Sequence, residues 1–109
     1  MAGLSSELLD RISQMIRDGR YAGGFHATMR QLQRGLTSQD IEAAIGRDAP
    51  EIVEDYPEDP RGSCCLVRGE LDDGRVLHVL CTPTDPVFLI TCYWPDPDPW
   101  DVTFRFRRS

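Results

Sequence analysis

The sequence predicts an α+β fold in which N-terminal helices pack on one face of a curled, mostly antiparallel sheet of three to five strands. Apolar residues recur at helical spacing as far as about residue 46, and from residue 50 onward they form apolar-rich runs separated by turns. Since short turns join these runs, no crossover helices are needed, and a doubly wound parallel sheet is disfavoured. The length of 109 residues fits one domain, with a helical part at about 5–46 and a sheet part at about 50–106.

Three helices are expected in the first half of the chain. Residues 5–18 carry an apolar stripe, and residues 27–34 form a shorter helix. Thr37 can cap a third helix, with Asp40 at the third position, where its charge suits a helix start. The stretch 21–25 is expected to be a connector because its two glycines break a helix. The glycines expected to end the three helices are Gly19, Gly35 and Gly46.

The second half predicts strands that are apolar at nearly every position, so both faces of the sheet should be largely covered. Asp73-Gly74 predicts a tight hairpin turn, because Asp-Gly tolerates the positive φ angles that such a turn requires. Residues 102–106 add either an edge strand or a tail packed by Phe104 and Phe106. The four expected strands lie at 51–56, 63–71, 75–81 and 87–94.

The net charge of −6 argues against a protein that binds nucleic acid through bulk electrostatics. All twelve basic residues are arginine, and residues 1–47 hold six of them against five acidic residues, so a net charge of +1 remains there. Acidic residues concentrate at 48–60. The chain contains no apolar run of the roughly 20 residues that span a membrane, and no secretory signal pattern, so we expect a cytoplasmic protein.

His26, Arg30 and Arg34 follow one another at intervals of four residues, which places them near one face of a helix. An imidazole with two guanidinium groups could bind a phosphodiester, with the histidine as acid or base and the arginines offsetting the developing charge. The structural alternative is the more common one for surface charges. In it the arginines face solvent or pair with Asp40 and Glu42, and His26 caps the helix start.

His78 lies in the middle of an apolar run. With Asp73-Gly74 as the turn residues, His78 faces Gly69 across the hairpin. The next hairpin would place His78 near Thr91. We expect a packed interior imidazole that hydrogen-bonds to Thr91. Space beside Gly69 could instead hold a ligand.

The cysteines do not predict a metal site, because the adjacent Cys64 and Cys65 point to opposite faces of a strand and no Cys-x-x-Cys spacing occurs. We expect four reduced, buried, small apolar side chains. Either Cys64 or Cys65 could approach Cys81, and Cys92 could lie near His78. No phosphate-binding loop or dinucleotide motif occurs either, so no cofactor is expected. The Trp- and Pro-rich stretch 93–101 suits a partner surface or a lid on the core edge, and we favour the lid.

The string HATMRQLQRGLT at 26–37, followed by Asp-Ile-Glu at 40–42, resembles the HAxxRMxxRGIs…DIexAi block of a small bacterial family, domain of unknown function 4258. Further blocks occur in the same order, and the resemblance extends over about residues 5–108. These blocks are IVEDYP at 52–57, CLVRG at 65–69, DGR at 73–75, LHV at 77–79 and Ile90-Thr91 with Tyr93 and Pro95.

The layout of that family is similar to compact RelE- and BrnT-like toxin folds, whose members cut RNA with His, Arg, Tyr or carboxylate side chains and no metal. The resemblance implies a toxin-type ribonuclease acting on RNA, with an antitoxin-like protein as partner. The residues it nominates as catalytic are His26, Arg30 and Arg34, with His78 and Tyr93 in support. The alternative is a non-enzymatic domain that binds a partner protein or a small ligand, in which Arg34 ties the helices to the acidic stretch at Glu54.

Overall fold

The computed structural model describes residues 2–46, 50–60 and 62–107, without the side chains of residues 2–6, 25–27 and 30. It confirms the α+β prediction. The helices are α1 (Ala2–Arg17), α2 (Phe25–Gln33) and α3 (Ser38–Ile45), and the strands are β1 (Tyr21–Gly23), β2 (Glu51–Tyr56), β3 (Cys64–Glu70), β4 (Val76–Thr82) and β5 (Val87–Tyr93). None of the helices in the described ranges is long and apolar enough to cross a bilayer.

The five strands form one mixed sheet in the order β1-β5-β4-β3-β2, antiparallel except for β1 and β5. The expectation that residues 21–25 form only a connector was wrong, because Tyr21–Gly23 pairs in parallel with β5. The pairing starts where the Val87 amide donates to the Arg20 carbonyl oxygen at 3.1 Å. These ladder bonds outweigh the low strand propensity of a short Gly-containing segment.

The β3–β4 hairpin is offset by one residue from the expected register. Glu70 pairs with Val76, and the Leu71 amide donates to the Arg75 carbonyl oxygen at 2.8 Å, so the connection holds three residues between these two. Gly74 supplies the positive φ, 89°. His78 therefore lies opposite Arg68 and not Gly69.

The helices cover one face of the sheet. Thr37 and Asp40 form the expected capping box at the start of α3, which directs its apolar stripe onto β3. A Cβ on Gly69 would lie 2.3 Å from the Ala44 carbonyl oxygen, so this glycine allows the close approach of α3. The space at Gly69, which we expected beside His78, thus lies on the face of the sheet opposite to His78, and α3 fills it. The buried core on the helical face comprises Ile12, Met15, Ile16, Leu36, Ile41, Ala44, Ile45, Cys65, Val67, Leu71, Leu77, Val79, Cys81, Val87, Leu89 and Cys92.

Residues 100–107, the C-terminal tail, cover part of the other face. The tail consists of turns closed by a single bridge between Trp100 and Arg107, so the expected edge strand is absent from the described tail. Phe104 is partly buried, but Phe106 is 69% exposed and Trp100 only 2%. The prediction that Phe106 packs the tail against the sheet was therefore wrong. The buried Trp100 packs on this face instead, as expected for a lid.

Candidate functional site

His78 is buried at the centre of the face beneath the tail, with none of its surface exposed. Its Nε2 lies 2.8 Å from the Phe104 carbonyl oxygen, and its Nδ1 lies 3.3 Å from the Tyr93 hydroxyl oxygen. Because a carbonyl oxygen only accepts, Nε2 carries the proton and Nδ1 accepts from the Tyr93 hydroxyl. The edge of the ring contacts Trp100, with ring centroids 4.5 Å apart. The expected bond to Thr91 was wrong, because Tyr93 pairs with His78 and Thr91 pairs with Leu80.

Burial sets the charge state of this hydrogen-bonded pair. It lowers the pKa of His78 below 6.5, and although the Phe104 carbonyl acts in the opposite direction, the imidazole stays neutral at pH 7. Burial likewise raises the pKa of Tyr93, which remains a hydroxyl. A protonated phenol thus faces a neutral imidazole nitrogen that can accept its proton.

Arg34 follows α2 directly and lies at the outer edge of β5. Gly35, with a φ of 64°, ends the helix at the expected place. The Arg34 Nη1 donates to the Cys92 carbonyl oxygen at 2.7 Å, beyond the three residues of β5 that β1 covers. The guanidinium carbon lies 5.9 Å from the centroid of the Tyr93 ring. Arg34 therefore covers an open strand edge and also places a positive charge beside Tyr93.

Glu54 and Arg107 form an ion pair whose charges act on both His78 and Tyr93. Arg107 donates from Nε to Oε2 at 2.7 Å and from Nη2 to Oε1 at 3.1 Å, and the Tyr56 hydroxyl donates to the same carboxylate. Burial acts to raise the pKa of Glu54, but these hydrogen bonds outweigh it and lower the pKa below 4.5. We call the resulting group the Tyr93 cluster; its members are Arg34, Glu54, Tyr56, His78, Tyr93 and Arg107.

Comparison with known proteins gives one result. The family described as domain of unknown function (DUF4258) matches residues 25–94, more than half of the chain. The chain belongs to this family. Neither the curated proteins nor the solved structures contain a significant match.

The matched DUF4258 region contains all of the Tyr93 cluster except Arg107, which belongs to the tail. Of the residues nominated from the sequence, the structure brings Arg34, His78 and Tyr93 together. The side chains of His26 and Arg30 lie outside the described residues.

The ion pairs expected for Arg34 do not form among the described residues. Glu54 pairs with Arg107, Asp40 accepts the Thr37 amide, and Glu42 accepts the Tyr21 hydroxyl. Arg34 makes its hydrogen bond to a neutral carbonyl oxygen instead. Among the described residues the Arg34 guanidinium thus contacts a carbonyl oxygen and the Tyr93 ring, and no carboxylate pairs with it.

Three members of the Tyr93 cluster, Glu54, Tyr56 and Arg107, were not predicted from the sequence as site residues. Glu54 and Tyr56 share the period-two face of β2, a signal that could have placed them together. Glu54 was predicted only as an ion-pair partner of Arg34. Arg107 lies in a segment without periodicity, so no sequence pattern indicated its role.

The four cysteines are free and buried, as expected for small apolar side chains. Cys65 lies directly opposite Cys81. Cys92 packs in the core on the helical face and not beside His78. Within the described ranges no group of three or more His, Cys, Asp or Glu side chains is placed to hold a metal ion.

A pocket of about 270 Å³ opens where β5 ends against the β3–β4 hairpin, and we call it the Trp94 pocket. Arg75 lies over the Trp94 ring, with the guanidinium carbon 4.7 Å from the ring centroid. The residues that line the pocket are Gly74, Arg75, Val76, Trp94, Pro95 and Phe104.

Proposed function

We propose that this domain is a toxin-type, metal-independent ribonuclease that cleaves RNA at the Tyr93 cluster. One observation carries the proposal: the Tyr93 hydroxyl is hydrogen-bonded to a buried, neutral imidazole and lies beside a guanidinium that has no carboxylate partner among the described residues. A proton acceptor, a hydroxyl and a fixed positive charge are the groups that phosphodiester transesterification requires.

In the proposed reaction the ribose 2′-oxygen attacks the adjacent phosphorus, and the bond from phosphorus to the 5′-oxygen breaks. The 2′-hydroxyl proton passes to the Tyr93 oxygen as the Tyr93 proton passes to Nδ1 of His78. The 5′-oxygen leaves with a proton from water, and the imidazolium returns its proton through Tyr93 to solvent. Arg34 offsets the charge that develops on the phosphoryl oxygens.

Three features favour His78 as the temporary proton holder. Its Nε2–H is fixed on the Phe104 carbonyl oxygen, so only Nδ1 is free to accept. Burial lowers the pKa of His78, as do the charges of Arg68 and Arg107, but the Phe104 carbonyl and the negative charge of Glu54 act in the opposite direction and support the imidazolium when it forms. Burial keeps water away from the ring, so the proton reaches His78 through Tyr93.

The test is cleavage of a labelled RNA of mixed sequence at low salt in the presence of EDTA. We expect the Tyr93→Phe, His78→Gln and Arg34→Gln variants to lose cleavage by about 100-fold or more. Tyr21→Phe and Arg20→Gln are matched controls, because Tyr21 bonds to Glu42 and Arg20 pairs with Asp85, both outside the cluster. Absence of cleavage by the unsubstituted protein, or full cleavage by Tyr93→Phe, would refute the proposal.

A toxin-type ribonuclease also requires a neutralising partner, for which we propose an antitoxin-like protein. Expression of the unsubstituted domain should arrest growth, and expression of Tyr93→Phe at the same level should not. Growth that is equal for the two proteins contradicts a toxin role even where cleavage is seen in vitro.

A further inference from the structure

The Trp94 pocket has the size and walls of a site for one planar ring. Its volume of about 270 Å³ is below the range of roughly 300–1,000 Å³ that drug-sized ligands occupy. Two aromatic side chains, Trp94 and Phe104, line it together with the apolar Val76 and Pro95. Aromatic walls of this kind favour a flat aromatic group that stacks against them.

Arg75 supplies the polar group at this pocket. Its Nε donates to Asp73 at 2.8 Å, while its Nη groups make no hydrogen bond to the described residues. The guanidinium lies over the Trp94 ring and is more than half exposed at the hairpin turn. A ring that enters the pocket therefore meets two N–H donors, which select a ligand with acceptors on its edge.

Both aromatic walls are hydrogen-bonded to members of the Tyr93 cluster. The Trp94 Nε1 donates to the Arg34 carbonyl oxygen at 3.2 Å, and the Phe104 carbonyl oxygen accepts from His78 at 2.8 Å. Val76 lies two residues before His78 on the same face of β4, a separation of about 7 Å along the strand. The pocket is therefore a direct neighbour of the Tyr93 cluster.

Phe104 holds a conformation that bulky side chains rarely adopt, with a φ of 59°. Asp101 maintains it, since its carbonyl oxygen accepts the Phe104 amide at 3.0 Å and its carboxylate accepts the Arg105 amide at 3.1 Å. In this conformation Phe104 lines the pocket while its carbonyl oxygen contacts His78. Strain of this kind persists where the surroundings enforce it, and it is concentrated at functional sites.

We propose that the Trp94 pocket binds a guanine base of the RNA, next to the phosphate that Arg34 contacts. The inference rests on the proposed ribonuclease function and names the base that the site selects. Guanine presents two acceptors, O6 and N7, on one edge, which match the paired donors of Arg75. On the corresponding edge adenine presents a donor beside its acceptor and cytosine presents a donor, and the single ring of cytosine stacks over a smaller area, so each fits the pocket less well.

Intrinsic fluorescence tests the pocket directly, because the chain has two tryptophans and Trp100, which belongs to the tail, is only 2% exposed. Titration at low salt with guanosine, adenosine, cytidine and uridine monophosphates should quench Trp94 most strongly with the guanine nucleotide. Guanosine should quench as well, since the base and not the phosphate enters the pocket. We expect at least tenfold tighter binding of the guanine nucleotide than of the cytosine nucleotide.

Substitution of Arg75 is the decisive comparison. Arg75→Lys keeps the charge but loses the paired donors, so it should lose the guanine preference, whereas Arg20→Gln, the matched surface arginine, should keep it. Thermal melting establishes that each variant is folded. Equal binding of the four nucleotides, no binding at all, or an unchanged preference in Arg75→Lys each overturns the proposal.

Cleavage assays separate this inference from the proposed function. If the unsubstituted protein cleaves next to guanine and Arg75→Lys cleaves without base preference, both the pocket and the ribonuclease are supported. Guanine binding without cleavage supports the pocket and refutes the ribonuclease. Cleavage without any guanine binding or preference refutes the pocket and leaves the ribonuclease in place.

Discussion

Arg105 and Glu51 form a two-point ion pair that fixes the C-terminal tail to β2. The Arg105 Nε donates to both carboxylate oxygens, at 3.0 and 2.9 Å, and Nη2 donates to Oε1 at 2.8 Å. These hydrogen bonds lower the pKa of Glu51 below 4.5, and burial opposes them only in part. The next pair along both segments, Arg107 with Glu54, repeats the arrangement, so the tail is held over His78 at two successive positions.

Loss of the Arg105–Glu51 pair should lower stability modestly. The Arg105 side chain is 35% exposed and the Glu51 side chain 43%, so solvent screens the pair. We therefore expect Glu51→Gln to lower the free energy of unfolding by only about 0.5–1 kcal/mol. Urea denaturation of Glu51→Gln, Arg105→Gln and the double variant measures the coupling. Strictly additive losses would show that the pair contributes nothing.

Stability should fall as the pH drops through the range in which His78 titrates in the unfolded chain. The unfolded histidine takes up a proton below about pH 6.5, whereas burial lowers the pKa of the folded one, so protons favour unfolding. The contribution is complete above pH 6.5 and is lost at lower pH. Between pH 6.5 and 5.5 we expect the free energy of unfolding to fall by at most about 1 kcal/mol, because a single histidine takes up one proton on unfolding.

His78→Gln is the control for this pH dependence, because glutamine does not titrate and retains a donor for the Phe104 carbonyl oxygen. Glu51 and Glu54 both have a lowered pKa and titrate below 4.5, outside the window. Urea unfolding curves from pH 7 to 5.5 should converge for the two proteins as the pH falls. Parallel curves would mean that His78 is not the group responsible.

Gly69→Ala should destabilise the fold by moving α3 away from the sheet. The added Cβ would lie 2.3 Å from the Ala44 carbonyl oxygen and 2.8 Å from Ile45 Cδ1, and backbone cannot shift cheaply. We expect a loss of about 1–3 kcal/mol, measured by urea denaturation. Gly24→Ala is the matched control, since its Cβ would meet only Phe88 at 3.5 Å, an ordinary contact. A similar loss in both variants would contradict the steric explanation.

The predicted elements depended on local signals, and these were strong in most of the chain. The capping box at Thr37 and Asp40 and the strand at Glu51–Tyr56 were predicted at the positions the structure gives them. The strand at Tyr21–Gly23 was missed because its stability comes from pairing with β5, a contact 66 residues away in the sequence at Tyr21 and Val87. Local propensity carries no information about such a partner.

The sequence predicted some of the residues that belong to the candidate site, but not which of them are neighbours, because the neighbours depend on the register of the strands. The sequence nominated Arg34, His78 and Tyr93, but the tight-turn assumption shifted the β3–β4 hairpin by one residue and placed Gly69 opposite His78 in place of Arg68. The assumed register of the next hairpin was off by two residues and placed Thr91 beside His78 in place of Tyr93. A shift of one residue exchanges the neighbours of every side chain in a strand. Arg107 was not foreseen, because the irregular tail has no periodicity from which its position could be inferred.

Oxidation should join one pair of cysteines before any other. Cys65 and Cys81 are directly opposite on β3 and β4, and the hydrogen bond between the two thiols lowers the pKa of Cys65 and raises that of Cys81. Diamide treatment should therefore yield a Cys65–Cys81 disulfide, identified by peptide mapping. Burial raises the pKa of Cys92 to about 11, so Cys92→Ser should not change the outcome. A disulfide that contains Cys64 or Cys92 would contradict the pairing.

The tyrosines should remain protonated in the folded protein above the pH at which they ionise in the unfolded chain. Burial raises the pKa of Tyr21 to about 12, and burial also raises the pKa of Tyr56 and Tyr93 above 10.0. Unfolded chains release these protons first, so stability is complete below pH 10 and falls above it. Ultraviolet titration should show tyrosinate at higher pH in the native protein than in urea. The difference between the unsubstituted protein and Tyr93→Phe isolates Tyr93, and a native Tyr93 that ionises below pH 10 would contradict its role as a hydroxyl donor to His78.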